Sequence, residues 1–213
     1  MAVAVEATPK RAFASAIDWP GWSRGDKSVD LATERLLAYA PRYAAVAALA
    51  GLAFQPEDLV LEVVERADGD AATEFGVPGH VAASDRRPSE AAEAGRQASL
   101  VAAAWQTFDA IAAVAPEELR KGPRGGGRNT SKVVDHVVAS EHGYSRELGL
   151  RLPAADPTDR DEVGSFRAAM LEVLRRPSDG SPMVKRWTPR YAARRIAWHA
   201  LDHAWEIEDR SAD

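Results

Sequence analysis

The feature that most constrains the fold is a run of four amphipathic segments in the second part of the chain. Apolar side chains recur every three or four residues over about 89–114, 131–148, 159–175 and 189–210. Helices that each have one apolar face bury those faces most completely by packing against one another. We therefore predict a four-helix bundle over residues 88–213.

The first part of the chain has a different pattern, which indicates a small α+β module. Residues 11–17 alternate larger and small side chains, residues 59–67 are rich in β-branched side chains, and both are predicted strands. Between them, Asp30 is placed to cap a helix that Pro41 should kink or split. The predicted fold class is α+β and mainly α. A β-α-β module over residues 1–80 precedes the bundle, and a linker containing Pro and Gly joins the two.

Composition limits the partners and the types of metal ligand. The chain has 27 basic and 32 acidic residues and a net charge of -5, so as a whole it is no electrostatic partner for nucleic acid or an anionic membrane. It has no cysteine, so any metal must be held by His, Asp or Glu. There is no signal-peptide pattern, and the longest apolar run is shorter than the roughly 20 residues a membrane span needs. We expect a cytoplasmic protein that acts on a small-molecule substrate, and a homodimer stays open.

The last predicted helix carries two histidines on its apolar face. In IAWHALDHAWEIEDR, residues 196–210, His199 and His203 fall on the same stripe as Ile196 and Ile207. Side chains four residues apart on a helix are about 6 Å apart at Cβ, which is close enough to share a metal ion. Core histidines that are hydrogen-bonded to their neighbours are the alternative, but burying two imidazoles without a partner is costly.

A third histidine lies on the second predicted helix. His136 stands between Val133 and Val137 on the apolar side, so it too should point inward. At 1.5 Å per residue, His136 is roughly 7 Å from the start of its helix, and the pair is roughly 9 to 17 Å from the end of the last helix. These depths match if the two helices are antiparallel. His80 and His142 are predicted to be solvated or structural.

Several of these motifs resemble a known family. From about residue 88 onward, the chain resembles the DinB/YfiT superfamily of metalloenzymes. The resemblance lies in the motifs HVVASE, with His136 and Glu141, and HALDH on the last helix, and in the segments GPRGGGR and RYAARRIAWHALDHAWEIEDR. The resemblance implies an up-down-down-up bundle in which His136, His199 and His203 bind a divalent ion such as zinc, nickel, manganese or iron. Some members use an external low-molecular-weight thiol, and members include isomerases, transferases and hydrolases. The front module has a fainter likeness to the HicB-like antitoxin fold, through a strand, the DWPGW turn and a following helix.

These motifs lead to a functional expectation. Three neutral imidazoles leave positions at a metal ion open for water or substrate, and the ion would lower the pKa of bound water or of a thiol. Glu141 lies a little more than one helical turn beyond His136, where it could orient that ligand or accept a proton. We expect a metal-dependent hydrolase or a thiol-dependent transferase. The alternative is a non-catalytic, metal-stabilised protein whose front module binds a partner.

Overall fold

The computed structural model describes residues 1–121 and 129–211 and has a mixed α+β fold in which helices predominate. In chain order the elements are β1 (Ala2–Ala7), β2 (Ala12–Ala16), β3 (Ser23–Asp26), α1 (Val29–Ala38), α2 (Ala40–Leu49), β4 (Glu62–Asp68), α3 (Ala71–Phe75), α4 (Ala91–Val114), α5 (Thr130–Glu147), α6 (Arg160–Leu174) and α7 (Pro189–Ser211). The predicted inter-helix segment GPRGGGR, 122–128, lies outside the described residues. None of the described helices is long and apolar enough to cross a bilayer.

The front region contains a sheet with the strand order β3-β2-β1-β4. Strand β1 pairs antiparallel with β2 and parallel with β4. The predicted strands at 11–17 and 59–67 correspond to β2 and β4, but the predicted β-α-β order is wrong because β1 and β3 were missed. Strand β1 is half alanine with only two β-branched residues, Val3 and Val5, and β3 reads Ser-Arg-Gly-Asp with none, so the β-branched and aromatic content that marks a strand in sequence is low in β1 and absent in β3.

The helix predicted in the front region is split into two, as Pro41 required. Helix α1 ends at Ala38, and α2 begins at Ala40 with the proline in its first turn, where the missing N–H costs no hydrogen bond. The cap of α1 differs from the prediction. The Ser28 side chain accepts a hydrogen bond from the Leu31 backbone N–H, and Asp30 lies inside the first turn.

The turn DWPGW fixes the front region against α7. Gly21 has a φ of +93°, and a Cβ at this position would lie 2.8 Å from Cδ1 of Leu201 on α7, so both backbone conformation and space favour glycine. The neighbouring Trp22 is buried, stacks on Tyr43 at 5.5 Å between ring centroids, and donates to the Leu36 carbonyl at 2.9 Å. The hydrophobic core is accordingly continuous between the sheet region and the long helices.

The segment predicted as a linker is held by buried polar contacts on both sides. The Glu6 carboxylate of β1 accepts from the backbone N–H groups of Gly79 and His80 at 3.1 and 2.9 Å. On the other side, Asp85 forms an ion pair of 2.5 Å with Arg194 of α7, and both side chains are buried. Separate folding of residues 1–80 stays a prediction.

Contacts at the helix ends show how α5 lies relative to α7. After α4, the backbone N–H of Arg120 donates to the Arg210 carbonyl near the end of α7, and the Pro116 carbonyl accepts from Thr130 at the start of α5. At the other end of α5, Tyr144 contacts Trp187, which precedes α7, at 5.3 Å between ring centroids. Helices α5 and α7 therefore run antiparallel. This direction brings the early part of α5 to the middle of α7.

Candidate metal centre

Three histidines from α5 and α7 come together between these helices. Nε2 of His136 lies 3.3 Å from Nε2 of His199. Ring centroids are 5.1 Å apart for His136 and His199, 4.9 Å for His136 and His203, and 4.7 Å for His199 and His203. One candidate ligand atom from each ring lies within 4.8 Å of the other two. The inward placement of His136 that the sequence predicts is thus observed.

This spacing fits coordination of a single ion. A tetrahedral ion with metal–nitrogen distances of about 2.05 Å sets its ligand nitrogens about 3.3 Å apart. The contact between His136 and His199 already has this length, and the candidate ligand atoms of all three rings lie within 4.8 Å of one another. The side chain of His199 is buried at 6% exposure, whereas His136 and His203 are half-buried. The cluster therefore has a protected side and a side closer to solvent.

A carboxylate behind His203 fixes the orientation of that ring. Nδ1 of His203 lies 2.8 Å from Oε2 of Glu206, whose other oxygen accepts from Nη1 of Arg210 at 2.9 Å. The hydrogen bond from His203 is the main reason that the pKa of Glu206 lies below its ordinary value. An imidazole that donates from Nδ1 carries its lone pair on Nε2, the nitrogen available to a metal. The sequence analysis did not identify Glu206 as a partner of His203, although it lies three residues after His203 on the same helix.

Glu141 takes part in a separate ion-pair network. Its carboxylate is 1% exposed and accepts two hydrogen bonds of 2.9 Å from Arg167 of α6. The same guanidinium contacts Asp109 of α4 at 2.8 Å. Burial raises the pKa of Glu141, and the Arg167 charge opposes this shift. The carboxylate is thus engaged with Arg167, not with the histidines. Its proposed role as a proton acceptor stays a prediction.

The two remaining histidines are not part of the cluster. His142 bonds through Nε2 to the Leu152 carbonyl at 3.2 Å. His80 is exposed, and its backbone N–H donates to Glu6.

Aromatic side chains extend from the histidines along the same face. The Tyr144 ring meets His199 edge-on at 5.5 Å between centroids, and the Trp187 ring contacts Tyr144 at 5.3 Å. Burial raises the pKa of the Tyr144 phenol, so this hydroxyl stays protonated at neutral pH. The cluster therefore has an apolar wall on one side.

Comparison of the chain with protein-family models, with curated proteins and with solved structures finds no match in any of the three. The resemblances to DinB/YfiT and HicB-like proteins accordingly rest on the sequence motifs. The case for a metal centre rests on the geometry of the three histidines.

Proposed function

We propose that this chain is a DinB-like metalloprotein in which His136, His199 and His203 hold one divalent ion. We propose further that it acts as a metal-dependent hydrolase or thiol-dependent transferase. The observation that carries the proposal is the convergence of three imidazoles from two helices at coordination spacing.

The chemistry of the cluster favours a cation over an ordinary core contact. Each neutral imidazole has one donor and one acceptor nitrogen. In His142 the ring nitrogen Nε2 contacts a carbonyl oxygen, whereas Nε2 of His136 and Nε2 of His199 lie 3.3 Å apart. A single divalent ion accepts lone pairs from all three rings at once, which compensates for the cost of removing them from water.

The proposed bundle order is up-down-down-up for α4 to α7. Support comes from contacts at the helix ends. Arg190 at the start of α7 pairs with Glu93 at the start of α4 at 3.2 Å, which indicates a parallel arrangement of these two helices. The first turns of α6 line a groove together with the last turns of α4, and α5 is antiparallel to α7. Each of these directions agrees with the order implied by the DinB resemblance.

The donor set narrows the choice of metal. Imidazole nitrogen suits zinc, nickel and iron, whereas manganese prefers oxygen ligands. All three proposed ligands are nitrogens. Among the four metals expected from the sequence, zinc, nickel and iron are therefore favoured.

The chain would position the metal ion and leave one of its coordination positions open. Three protein ligands leave room for a further ligand, as in catalytic sites. When bound, the ion would supply an electrophile that lowers the pKa of water or of a thiol. The carboxylate of Glu206 keeps His203 in the required tautomer. Because the chain has no cysteine, thiol chemistry requires a low-molecular-weight thiol as cosubstrate.

Activity assays on metal-stripped and zinc-reloaded protein test the catalytic part of the proposal. The substrates are thioesters and thioether adducts of small thiols. We expect turnover that requires both zinc and an intact His199, and that His80→Ala leaves unchanged. Full zinc occupancy with a higher melting temperature and no turnover would instead support the non-catalytic alternative, a metal-stabilised protein whose front module binds a partner.

A further inference from the structure

Arg195 lies one helical turn before His199 and shares its aromatic neighbours. Its guanidinium carbon is 5.3 Å from the centre of the Tyr144 ring and 4.6 Å from the centre of the Trp198 ring. The same two rings lie 5.5 and 6.2 Å from the His199 ring, measured between centroids. Arg195 and the proposed metal ligand His199 therefore contact the same two aromatic rings.

The other arginines of α7 have carboxylate partners. Arg190 pairs with Glu93 at 3.2 Å, Arg194 with Asp85 at 2.5 Å, and Arg210 with Glu206 at 2.9 Å. Within residues 1–121 and 129–211, Arg195 forms no ion pair, and its Nη1 is buried without a hydrogen-bond acceptor. The adjacent Arg194 gives the most direct comparison. Both guanidinium groups contact an aromatic ring, but only that of Arg194 also pairs with a carboxylate among the described residues.

A half-buried guanidinium of this kind is suited to recognising an anion. Contacts with two aromatic faces restrict its orientation before any ligand arrives, which lowers the entropic cost of binding. A charged donor that is removed from water without an acceptor is costly, and an acceptor from a ligand removes that cost. The fork of N–H groups matches the two oxygens of a carboxylate or phosphate.

We infer that Arg195 binds the anionic group of the ligand that occupies the proposed metal centre. The ligand class is a small organic anion whose carboxylate or phosphate meets Arg195 while its reacting atom meets the three histidines. Tyr144 and Trp198 then contact the apolar part between the two ends. This inference rests on the proposed function, because it takes the histidine cluster to be the metal site.

The test uses the cobalt-loaded protein and thiols as probes. Mercaptocarboxylates of increasing chain length are compared with the matching mercaptoalcohols, which lack the negative charge. Binding of sulfur to cobalt is followed by the thiolate-to-cobalt absorption band. The quantity measured is the preference of the protein for the carboxylate over the alcohol of equal length.

We expect wild type to prefer the carboxylate, and Arg195→Gln to reduce this preference by about tenfold to a hundredfold, as for loss of a charge-assisted hydrogen bond. Arg195→Lys should retain part of it, because the charge stays and the fork is lost. Arg186→Gln is the matched control, since it removes one positive charge from an exposed arginine and should leave the preference unchanged. Competition by inorganic phosphate against acetate then shows which oxyanion the site favours.

Three results would overturn the inference: no preference in wild type, an unchanged preference in Arg195→Gln, or an equal loss in Arg186→Gln. Loss of cobalt from both Arg195 variants would also overturn it, because it would assign Arg195 to holding the histidines in place. Failure of the proposed function gives a different result, because the wild-type protein would then bind no cobalt even before any thiol is added.

Discussion

Helix α5 contributes to two polar clusters that differ in composition. Near its middle, Glu141 meets Arg167 of α6, which also contacts Asp109 of α4. Little more than one turn earlier, His136 meets His199 and His203 of α7. The first cluster contains both signs of charge and pairs both oxygens of Glu141 with one guanidinium. The second contains three bases of the same kind.

This difference separates a structural cluster from a binding cluster. In an ion-pair network whose positive and negative side chains pair with one another, no external ligand is needed to neutralise the charges. Such a network connects the helices that carry it. Three imidazoles with ring nitrogens at this spacing can together hold one divalent cation. We therefore assign structural cohesion to Glu141, Arg167 and Asp109, and propose ligand binding for the histidines.

The largest predicted effect comes from breaking the ion-pair cluster. Arg167→Met should lower the free energy of unfolding by about 3–5 kcal/mol, because it leaves the Glu141 carboxylate buried without its partner. Urea unfolding of the metal-free protein measures this. Adding Glu141→Gln should recover part of the loss. The control is Arg175→Met, directly after the end of α6, where the pair with Glu172 is exposed and the expected change is below about 0.5 kcal/mol. Equal effects at both arginines would remove the distinction between the clusters.

The next effect concerns the histidine cluster and depends on metal. A ligand that binds only the native state at about 100 times its Kd stabilises it by about 2.7 kcal/mol. Zinc at that concentration should raise the free energy of unfolding of wild type by this amount, and His199→Ala should abolish the increase. His80→Ala, at an exposed position, should keep it. An increase that persists in His199→Ala would move the metal to another site.

Lower pH should weaken zinc binding because protons compete for the imidazole nitrogens. Imidazole binds metal only when neutral, and its ordinary pKa is near 6.5. Affinity is therefore fully present above this pKa and is lost as the pH falls through it. From pH 7 to pH 6 we expect an affinity loss of about tenfold to thirtyfold, for two or three rings. Calorimetric titration measures this. A flat affinity would indicate carboxylate ligands, which stay ionised down to about pH 4.

The smallest predicted effect tests the orientation of His203. Glu206→Gln should weaken zinc binding by about tenfold, at the low end for such partners, because the amide oxygen still accepts from Nδ1 but without charge. Glu208→Gln removes the same charge from an exposed side chain that pairs with Arg42, and it should leave zinc affinity unchanged. If both variants behave alike, the contact between Glu206 and His203 has no role in metal binding.

The sequence predicts the long helices and the histidine cluster because both depend on local periodicity. Apolar spacing marks α4 to α7, and histidines on an apolar stripe must point inward. Sequence patterns do not identify β1 and β3, whose strand conformation depends on pairing within the sheet and not on their own residues.

The partners of buried charges could not be read from the sequence either. Glu141 and Arg167 are 26 residues apart on different helices, and no local pattern links them. The same holds for Asp85 and Arg194, which are 109 residues apart. For this reason Arg195, which pairs with no carboxylate in the described part of the chain, differs visibly from Arg194 only in the three-dimensional structure.

The central claim is that His136, His199 and His203 form one metal centre, and metal stoichiometry tests it most directly. Protein purified without an affinity tag is reloaded with zinc, dialysed and subjected to elemental analysis, together with the double variant His199→Ala/His203→Ala. We predict about one ion per chain in wild type and none in the double variant. An unchanged stoichiometry in the double variant, or no retained ion in wild type, would contradict the claim.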